Sequence, residues 1–438
     1  MAVSVKRYPT KPLQCWQKAK ELREKYYQDY ATAKERGGLR WAGGAWSFSA
    51  IPAGLGDDVY SLTSEPYGAS IAHDPNFAVA CLEATEAKGY ARDLCSYMRA
   101  YWGSILLNQY AFGGEFPIPD FIFQDHICCS HSKWYQVVCD LEKNIPFFSI
   151  DLSVGPYKEL DQNRVDYLVN QMMDGIDWLQ KVTGRPYDDE KLIQGVYNTC
   201  RSTALWSEIC TLNKTIPAPL EEKSMFALYV LGTLNRASKE FADFYEELKA
   251  EVEDRVANGI AAIPTERCRI LNDSQPPWSL LKIYRYMEQY GAVSIGSFYT
   301  FGLIGIWDMK ENGSIVPPIT PQQKGIVLKT REQALRVLAD WELRRITWLP
   351  FYGAHLKSQV MVQMAKDWHV NGAIVHLNRG CEGTALSMME NRAALVEAGI
   401  PTLMYEGNMG DPREVDQAQV LERIEAFMES LGLKKLDV

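Results

Sequence analysis

The chain has 438 residues, of which 47% are hydrophobic and 23% are charged, an ordinary composition for a globular protein. It carries 46 lysine and arginine residues against 55 aspartate and glutamate residues, so its formal net charge is −9. An acidic chain without a basic block is a poor candidate for a dedicated nucleic-acid binder, because affinity for the phosphate backbone needs clustered cations. Composition therefore argues against nucleic acid as the partner.

Neither a membrane helix nor a leader peptide is expected. No apolar run approaches the roughly 20 residues that a membrane helix needs, and the first residues, MAVSVKRYPTKPLQCW, lack the apolar core of a signal peptide. We therefore expect a cytoplasmic protein that does not associate with membranes. The ten cysteines are spread along the chain, and in a reducing compartment they are not expected to form a disulfide framework. Most are expected to be small buried hydrophobic residues, which leaves a few as metal ligands.

Four regions are predicted in chain order. Residues 1–39 are expected to form a helical N-terminal arm, because residues 12–35 are charged with a helical pattern and a glycine-rich segment follows. Residues 40–155 mix short apolar runs with glycine and proline, which predicts a first α/β lobe. Residues 156–262 have helical periodicity and few β-branched runs, which is typical of an all-helical insert. Residues 263–438 are predicted to form a second α/β lobe.

The strand–helix alternation is clearest in the first lobe at residues 121–150. Residues 121–127 have the continuous apolar character of a buried strand, and apolar residues then recur on one helical face over 134–141. Pro146 opens a second strand at 147–150. In the second lobe the predicted strands are 267–271, 292–298, 373–377 and 402–405. One predicted helix ends at residue 290, and the others span 330–346, 357–368, 384–398 and 414–431. Such alternation implies parallel sheets covered on both faces. The predicted fold is therefore α/β, with two Rossmann- or flavodoxin-like parallel-sheet lobes.

One internal repeat is visible. Residues 120–129 (DFIFQDHICC) align without a gap on residues 372–381 (GAIVHLNRGC). Gene duplication and chance similarity between two strand–helix units both explain the alignment. It puts Cys129 and Cys381 at the same place, after a strand and before a helix, where ligands bind in open α/β sheets. The positive end of a helix dipole stabilises a thiolate there, and thiolate is the form that binds iron or zinc.

A zinc site is one alternative for the segment that contains His126, Cys128, Cys129 and His131. The residue types suit zinc, but adjacent cysteines rarely bind one tetrahedral ion together, and the sequence has no C-x-x-C motif. The sequence also lacks the Walker A loop of ATP-binding proteins and a G-x-G-x-x-G motif after a strand.

Three cysteine motifs carry a family resemblance. They are Cys95-Ser96-Tyr97 before an aromatic helix, Cys129 with Lys133 after a strand, and Arg379-Gly380-Cys381 after a C-terminal strand. In their order and spacing the sequence resembles the 2-hydroxyacyl-CoA dehydratase and benzoyl-CoA reductase family over nearly its whole length. Within that family it looks most like the B-type subunits of class I, ATP-dependent benzoyl-CoA reductases. Ser130 stands where the family has aspartate, and Cys128 offers a competing ligand. We prefer Cys129, because the repeat register and Lys133 both select it.

The resemblance implies a cofactor and an assembly. Thiolates of Cys95, Cys129 and Cys381 would hold one iron–sulfur cubane between the lobes, with Cys128 structural or next to the cluster. A [4Fe–4S] cluster normally has four cysteine ligands, so three leave one iron open. The alternative is a double-cubane cluster shared with a homologous second catalytic subunit. The remaining implied partners are ferredoxin and ATP-hydrolysing activator subunits that carry their own iron–sulfur cluster.

The implied activity is reduction of benzoyl-CoA to cyclohexa-1,5-diene-1-carbonyl-CoA with electrons from reduced ferredoxin. His126, His131 and Glu382 lie near the cysteine motifs and are the candidate catalytic proton donors. Two other functions stay open within the same resemblance. One is a 2-hydroxyacyl-CoA dehydratase subunit with the same type of cluster, and the other is a non-catalytic electron-transfer subunit that only holds the cluster.

Overall fold

Two four-stranded parallel sheets organise the computed structural model, which describes residues 6–153 and 161–436. In chain order the strands are β1 (Leu39–Gly43), β2 (Val59–Thr63), β3 (Phe121–His126), β4 (Phe147–Asp151), β5 (Cys268–Asp273), β6 (Ala292–Ser297), β7 (Asp308–Met309), β8 (Ile315–Val316), β9 (Gly372–Asn378) and β10 (Thr402–Gly407). The first sheet has the order β2-β1-β3-β4 and the second has the order β10-β9-β5-β6. All pairings within both sheets are parallel, whereas β7 and β8 form a small antiparallel hairpin.

The two sheets have the same topology. Numbered along the chain within each lobe, both have the strand order 2-1-3-4, which is the flavodoxin-like arrangement. The predicted α/β fold with two parallel-sheet lobes is confirmed. The sequence repeat also has a structural counterpart, because β3 and β9 hold the same place, each beside the first strand of its own sheet.

Helices cover both faces of the first sheet. Phe121 and Phe123 belong to one buried apolar cluster and Ile122 to another, as the two-residue period of a strand requires. The helices are α1 (Cys15–Thr32), α2 (Ala50–Ala53), α3 (Ser64–Ala72), α4 (Pro75–Ala87), α5 (Ser96–Leu106), α6 (Cys129–Glu142), α7 (Gln162–Thr183), α8 (Asp189–Leu212), α9 (Glu222–Leu228), α10 (Val230–Asn235), α11 (Lys239–Ala257), α12 (Lys282–Glu288), α13 (Phe298–Gly302), α14 (Arg331–Glu342), α15 (Leu349–Tyr352), α16 (Ala354–Asp367), α17 (Glu382–Ala385), α18 (Met388–Glu397) and α19 (Gln417–Ser430). Within the described residues, none of them combines the length and apolar character that crossing a membrane requires.

The N-terminal helix is fixed to the predicted insert. The backbone N–H groups of Gln14 and Cys15, at the start of α1, donate to the carboxylate of Glu251 on α11 over 2.7 and 2.8 Å. The first N–H groups of a helix have no partner within the helix, so this carboxylate satisfies two of them. The predicted helical arm is therefore part of the folded body.

The region predicted as a helical insert contains α7 to α11. Its expected boundary with the first lobe, between residues 155 and 156, lies outside the described residues. Asp161 caps α7 by accepting a hydrogen bond from the N–H of Asn163, and Gly184 ends it with a φ of 66°. Helix α14, which follows β8 in the chain, packs against α7 and α8. The second half of the chain thus contributes a helix to the layer over the first sheet.

Two predicted helices differ from the structure near the cavity described below. The helix predicted over 384–398 is divided into α17 and α18, with Ser387 between them at a φ of 67°. The helix predicted to end at residue 290 begins only at Lys282, after a short 3-10 turn over Trp278–Leu280. Ser274 has a φ of 77° and two prolines follow Gln275, so the chain cannot enter a helix directly from β5.

Candidate active site

A cavity of about 790 Å³ lies between the two lobes. In the first sheet the chain passes from the central strand β1 to one edge strand and from the central strand β3 to the opposite edge strand. In the second sheet the central strands β5 and β9 are connected in the same way. The carboxyl ends of such strands form the crevice in which α/β proteins bind ligands. Segments that follow all four strands line the cavity: Trp46, Ile127, Gln275 and Cys381. The two crevices therefore open onto one shared site.

Three cysteines line this cavity, and each one immediately precedes a helix. Cys95 precedes α5, Cys128 precedes α6 and Cys381 precedes α17. Burial raises the pKa of Cys95 well above its ordinary value, and the proximity of Cys381 and Cys128 raises it further. Burial also raises the pKa of Cys128, to about 12. Without a bound cation these two thiols are therefore protonated at neutral pH.

Polar groups lie near the three sulfur atoms. Backbone N–H groups at the starts of α5 and α6 act to lower the pKa of Cys95 and Cys128, although burial outweighs them. Gln275 donates to Cys381 from Nε2, with 3.4 Å between nitrogen and sulfur. Its Oε1 accepts hydrogen bonds from Asn378 and Thr384, which fixes the orientation of the amide. Donors of this kind stabilise thiolates, so the site is prepared for sulfur ligands that carry negative charge.

The neighbouring cysteine, Cys129, lies outside the cavity. It is the first residue of α6 and its side chain is exposed, whereas Cys128 lines the wall. One residue lies between the end of β3 and Cys128, which precedes α6. Two residues lie between the end of β9 and Cys381, which precedes α17. The loop after β3 is therefore one residue shorter, and the sequence repeat does not show this. Structurally, Cys128 occupies the place that corresponds to Cys381.

The donor set suits a cluster better than a single ion. Within residues 6–153 and 161–436, no three His, Cys, Asp or Glu side chains lie close enough to bind one metal ion. The two histidines of the zinc alternative are each engaged by a carboxylate, His126 through Nδ1 by Asp151 and His131 through Nε2 by Glu65. Three thiols spread around a cavity, with an amide donating to one sulfur, fit the cysteine ligation of an iron–sulfur cluster.

A buried ion pair between His131 and Glu65 forms part of the cavity wall. Burial alone lowers the pKa of His131, but the charge and hydrogen bond of Glu65 outweigh it and raise the pKa to about 9. For Glu65, burial opposes the same pairing, and the charge of His131 holds its pKa below the ordinary value. His131 therefore carries a proton at neutral pH. Glu65 was not predicted from the sequence, where its one signal is its position just after β2.

A second buried ion pair joins Lys357 on α16 to Asp273 at the end of β5. The Nζ atom of Lys357 lies 3.0 Å from Oδ2 of Asp273, and the side chains are 1% and 2% exposed. Asn391 donates to the same oxygen over 2.9 Å. Both charged residues line the cavity. This pair was not predicted from the sequence either, because its two residues are far apart in the chain.

The remaining wall is largely aromatic, with side chains of Trp46, Tyr97, Trp134, Phe298, Tyr299 and Phe351. Such a wall holds an apolar group and excludes water. Of the other predicted catalytic residues, Glu382 lies at the wall, but His126 does not line the cavity. The His126 side chain is 42% exposed, and its Nδ1 lies 3.1 Å from Asp151.

Fold and site together define a two-lobed α/β protein with cysteines around a cavity at its two facing crevices. The sequence profile of the family described as 2-hydroxyglutaryl-CoA dehydratase, D-component, matches residues 75–431. The chain belongs to this family of 2-hydroxyacyl-CoA dehydratases and benzoyl-CoA reductases.

Three characterised relatives align over most of the chain. The (R)-2-hydroxyisocaproyl-CoA dehydratase alpha subunit of Clostridioides difficile is 25% identical over 422 residues, 95% of each chain. The (R)-phenyllactyl-CoA dehydratase alpha subunit of Clostridium sporogenes is 24% identical over 409 residues, 92% of each chain. The benzoyl-CoA reductase B subunit of Thauera aromatica is 22% identical over 363 residues, 80% of this chain and 79% of its own.

The family resemblance seen in the cysteine motifs is therefore confirmed, but its finer assignment is not. The two dehydratase subunits align over a larger part of the chain, at higher identity, than the subunit of the benzoyl-CoA reductase. The comparisons thus favour the dehydratase alternative over the benzoyl-CoA reductase that we first expected.

Proposed function

We propose that the chain is the alpha-type subunit of a 2-hydroxyacyl-CoA dehydratase and that Cys95, Cys128 and Cys381 hold an iron–sulfur cluster. The observation that carries the proposal is the set of three cysteines, each before a helix, around one aromatic-lined cavity. The names of the dehydratase relatives support the reaction. Cys128 replaces Cys129 in this ligand set because Cys129 is exposed outside the cavity.

A bound cluster would supply one electron at a time to the thioester of the substrate. An electron placed on the thioester carbonyl makes its oxygen negatively charged, and an adjacent C–O bond is then weakened. The Lys357 ammonium in the cavity wall is the group suited to bind this oxygen, and Asp273 holds it in place. A fixed charge of this kind acts strongly in a site that excludes water.

Proton transfer is assigned to the pair of Glu65 and His131. Dehydration removes a hydroxyl group from C2 and a proton from C3 of the acyl chain, and together these leave as water. His131, with its pKa raised to about 9, holds the proton that the leaving hydroxyl group needs. Glu65 is its carboxylate partner in the wall and accepts the proton from C3. Glu382 remains a second candidate acid at the cavity edge.

The complex is proposed to contain further subunits. The relatives are named as alpha and B subunits, so we propose a homologous second catalytic subunit here as well. The sequence has no Walker A loop, which supports a separate ATP-hydrolysing activator that delivers electrons from ferredoxin. Whether the cluster is a single [4Fe–4S] or a double cubane shared with the second subunit depends on that partner.

Reduction of benzoyl-CoA is the second candidate function. The aromatic wall favours it, because a planar ring packs well against Trp46, Trp134 and Phe351. A purely electron-transferring subunit is less well supported, because two buried ion pairs line the cavity at which a substrate would react.

Electron stoichiometry separates these candidates. Dehydration returns its electron to the enzyme, whereas ring reduction consumes two electrons for each diene formed. The anaerobically purified complex would be incubated with a limiting amount of reductant, ATP and either 2-hydroxyacyl-CoA thioesters or benzoyl-CoA. We expect many enoyl-CoA molecules for each electron supplied. Two electrons for each diene would establish the reductase instead, and neither product from cluster-loaded protein would contradict both proposals.

A further inference from the structure

A second cavity, of about 1140 Å³, shares two wall residues with the active-site cavity. The two shared residues are Glu65 on α3 and Tyr299 on α13. Residues of α1, α9 and α12 form much of the remaining wall.

The second cavity contains more positive charge than its own carboxylates neutralise. Its cations are Arg23, Lys223 and Arg285, and the imidazole of His73 lies beside them in the wall. Of the lining carboxylates, Glu65 pairs with His131, and Glu221 accepts hydrogen bonds from the backbone N–H groups at the start of α9. Both carboxylates are thus already engaged by other groups.

Two of the cations lack a strong anionic partner. The Nε of Arg23 is buried without a hydrogen bond, and the nearest carboxylate oxygen to its guanidinium, on Glu24, is 3.9 Å away. Lys223 has no ion pair with any described residue. Burial and the charge of Arg23 both lower the pKa of His73. Arg285 does have a partner, Glu288 at 3.0 Å. An anionic ligand would neutralise Arg23 and Lys223 together.

An aromatic surface accompanies these cations. Trp16, on α1, lines the cavity and is 44% exposed. Trp278 lies deeper, and its ring centroid is 5.0 Å from that of His73. A large exposed indole beside basic side chains suits the stacking of a nucleobase whose phosphates bind to the cations.

We propose that the second cavity binds the phosphorylated adenosine end of the acyl-CoA substrate, with phosphates at Arg23 and Lys223 and the adenine at Trp16. The pantetheine arm would then reach the active-site cavity at the wall shared through Glu65 and Tyr299. This inference rests on the proposed function, because it takes the substrate to be a CoA thioester. It assigns recognition of the CoA end to the N-terminal helix and the helical insert.

Calorimetric titration of CoA and of adenosine 3′,5′-bisphosphate into the intact, anaerobically purified complex tests the proposal. We expect Arg23→Ala and Lys223→Met each to weaken both ligands about tenfold, which is the size of one lost hydrogen bond to a charged group. Lys282→Met is the matched control, because Lys282 is exposed on α12 outside the cavity. Acyl-pantetheine lacks the phosphates of the nucleotide, so its KM should not change in any variant.

The outcomes separate this inference from the proposed function. Wild-type affinity for CoA in both folded variants would overturn the subsite and leave the proposed reaction intact. A wild-type complex that holds a cluster but neither binds CoA nor converts a CoA thioester would contradict the proposed function itself. Lys223 is only partly buried, so we expect Lys223→Met to fold. This variant therefore tests the proposal even if Arg23→Ala does not fold.

Discussion

The backbone N–H of Ser96 donates a hydrogen bond to the carbonyl oxygen of Gly380 over 3.1 Å. This bond joins the loop that carries Cys95, in the first lobe, directly to the loop that carries Cys381, in the second. There is no space for a side chain at Gly380, because an added Cβ would collide with Oγ of Ser96 and Oδ1 of Asn408. The relative position of two proposed cluster ligands thus depends on a glycine.

Gly380→Ala is therefore expected to separate the two loops and to lower the iron content of the purified protein by more than half. Iron and acid-labile sulfide for each chain are the measurements. Gly399→Ala is the control, since Gly399 has a φ of 82° and open space around an added Cβ. That change costs about 1 kcal/mol of stability through backbone strain, and its iron content should be normal. Normal iron in Gly380→Ala would show that the contact does not position the cluster.

The exposure of Cys129 predicts that Cys128→Ser loses the cluster and that Cys129→Ser keeps it. The reason is geometric, because only Cys128 of this pair lines the cavity. Cys95→Ser and Cys381→Ser should behave like Cys128→Ser, and the buried Cys200 provides a control outside the site. Iron analysis and EPR spectra of the reduced protein give the answer. The opposite result for the adjacent pair would restore the ligand set that the sequence alone favoured.

Removal of Lys357 should lower kcat about a hundredfold, as loss of one oxyanion-stabilising group typically does. Lys357→Met alone would leave Asp273 as an unpaired buried charge, which costs about 3–5 kcal/mol of stability. The double variant Lys357→Met/Asp273→Asn removes both charges and is the better test. Lys366→Met is its control, because Lys366 is exposed on the same helix, α16. A double variant with unchanged kcat would exclude Lys357 from the reaction.

Glu65→Gln is expected to lower kcat by about 10²–10⁴, the usual contribution of general acid–base catalysis, while iron content stays normal. The change also removes the charge that raises the pKa of His131, so the imidazole loses its proton at a lower pH. Glu382→Gln should have a smaller effect, because Glu382 is exposed at the cavity edge. The pH dependence of kcat for both variants is the measurement. A greater loss of kcat in Glu382→Gln than in Glu65→Gln would assign the proton transfer to Glu382 instead of Glu65.

Stability should depend on pH through Glu222, a fully buried carboxyl group at the start of α9. Burial raises its pKa to about 7, although hydrogen bonds from Ser294 and Asn272 act in the opposite direction. The unfolded chain releases this proton near pH 4.5 and the folded chain near pH 7, so the folded protein loses about 3 kcal/mol as the pH rises across this interval.

Glu222→Gln should remove this loss, and its urea midpoint should exceed that of the wild type at pH 8 but not at pH 5. Glu422→Gln, an exposed change on α19, serves as the control. If the urea midpoints of the wild type and Glu222→Gln depend equally on pH, Glu222 is already ionised in the folded protein at neutral pH.

Much of the fold was predictable because buried parallel strands leave a strong local signal. Strand β3 has the uninterrupted apolar run that burial on both faces demands, and it was predicted within one residue of its end. The strands β1 and β2 were not predicted individually, since LRWAG and VYSLT are short and mixed in character. Ser387, with its positive φ, divides a helix that periodicity alone predicts as continuous.

The site was predictable only in part. Cys95 and Cys381 followed from motifs and were found at the cavity, as was His131. The choice between Cys128 and Cys129 depends on a loop that is one residue shorter than its counterpart, and a gap-free alignment conceals such a difference. Glu65 and Lys357 carry no local pattern, because their partners are 66 and 84 residues away.

The sequence by itself determined the fold class, the family and the three segments that bring cysteines to the site. These properties depend on local patterning and on short motifs, which each segment carries independently. Only the tertiary structure decided which cysteine faces the cavity, which charged groups become buried pairs, and that a basic cavity adjoins the aromatic one. Those properties depend on contacts between segments far apart in the chain, and burial then sets the strength of each charge interaction.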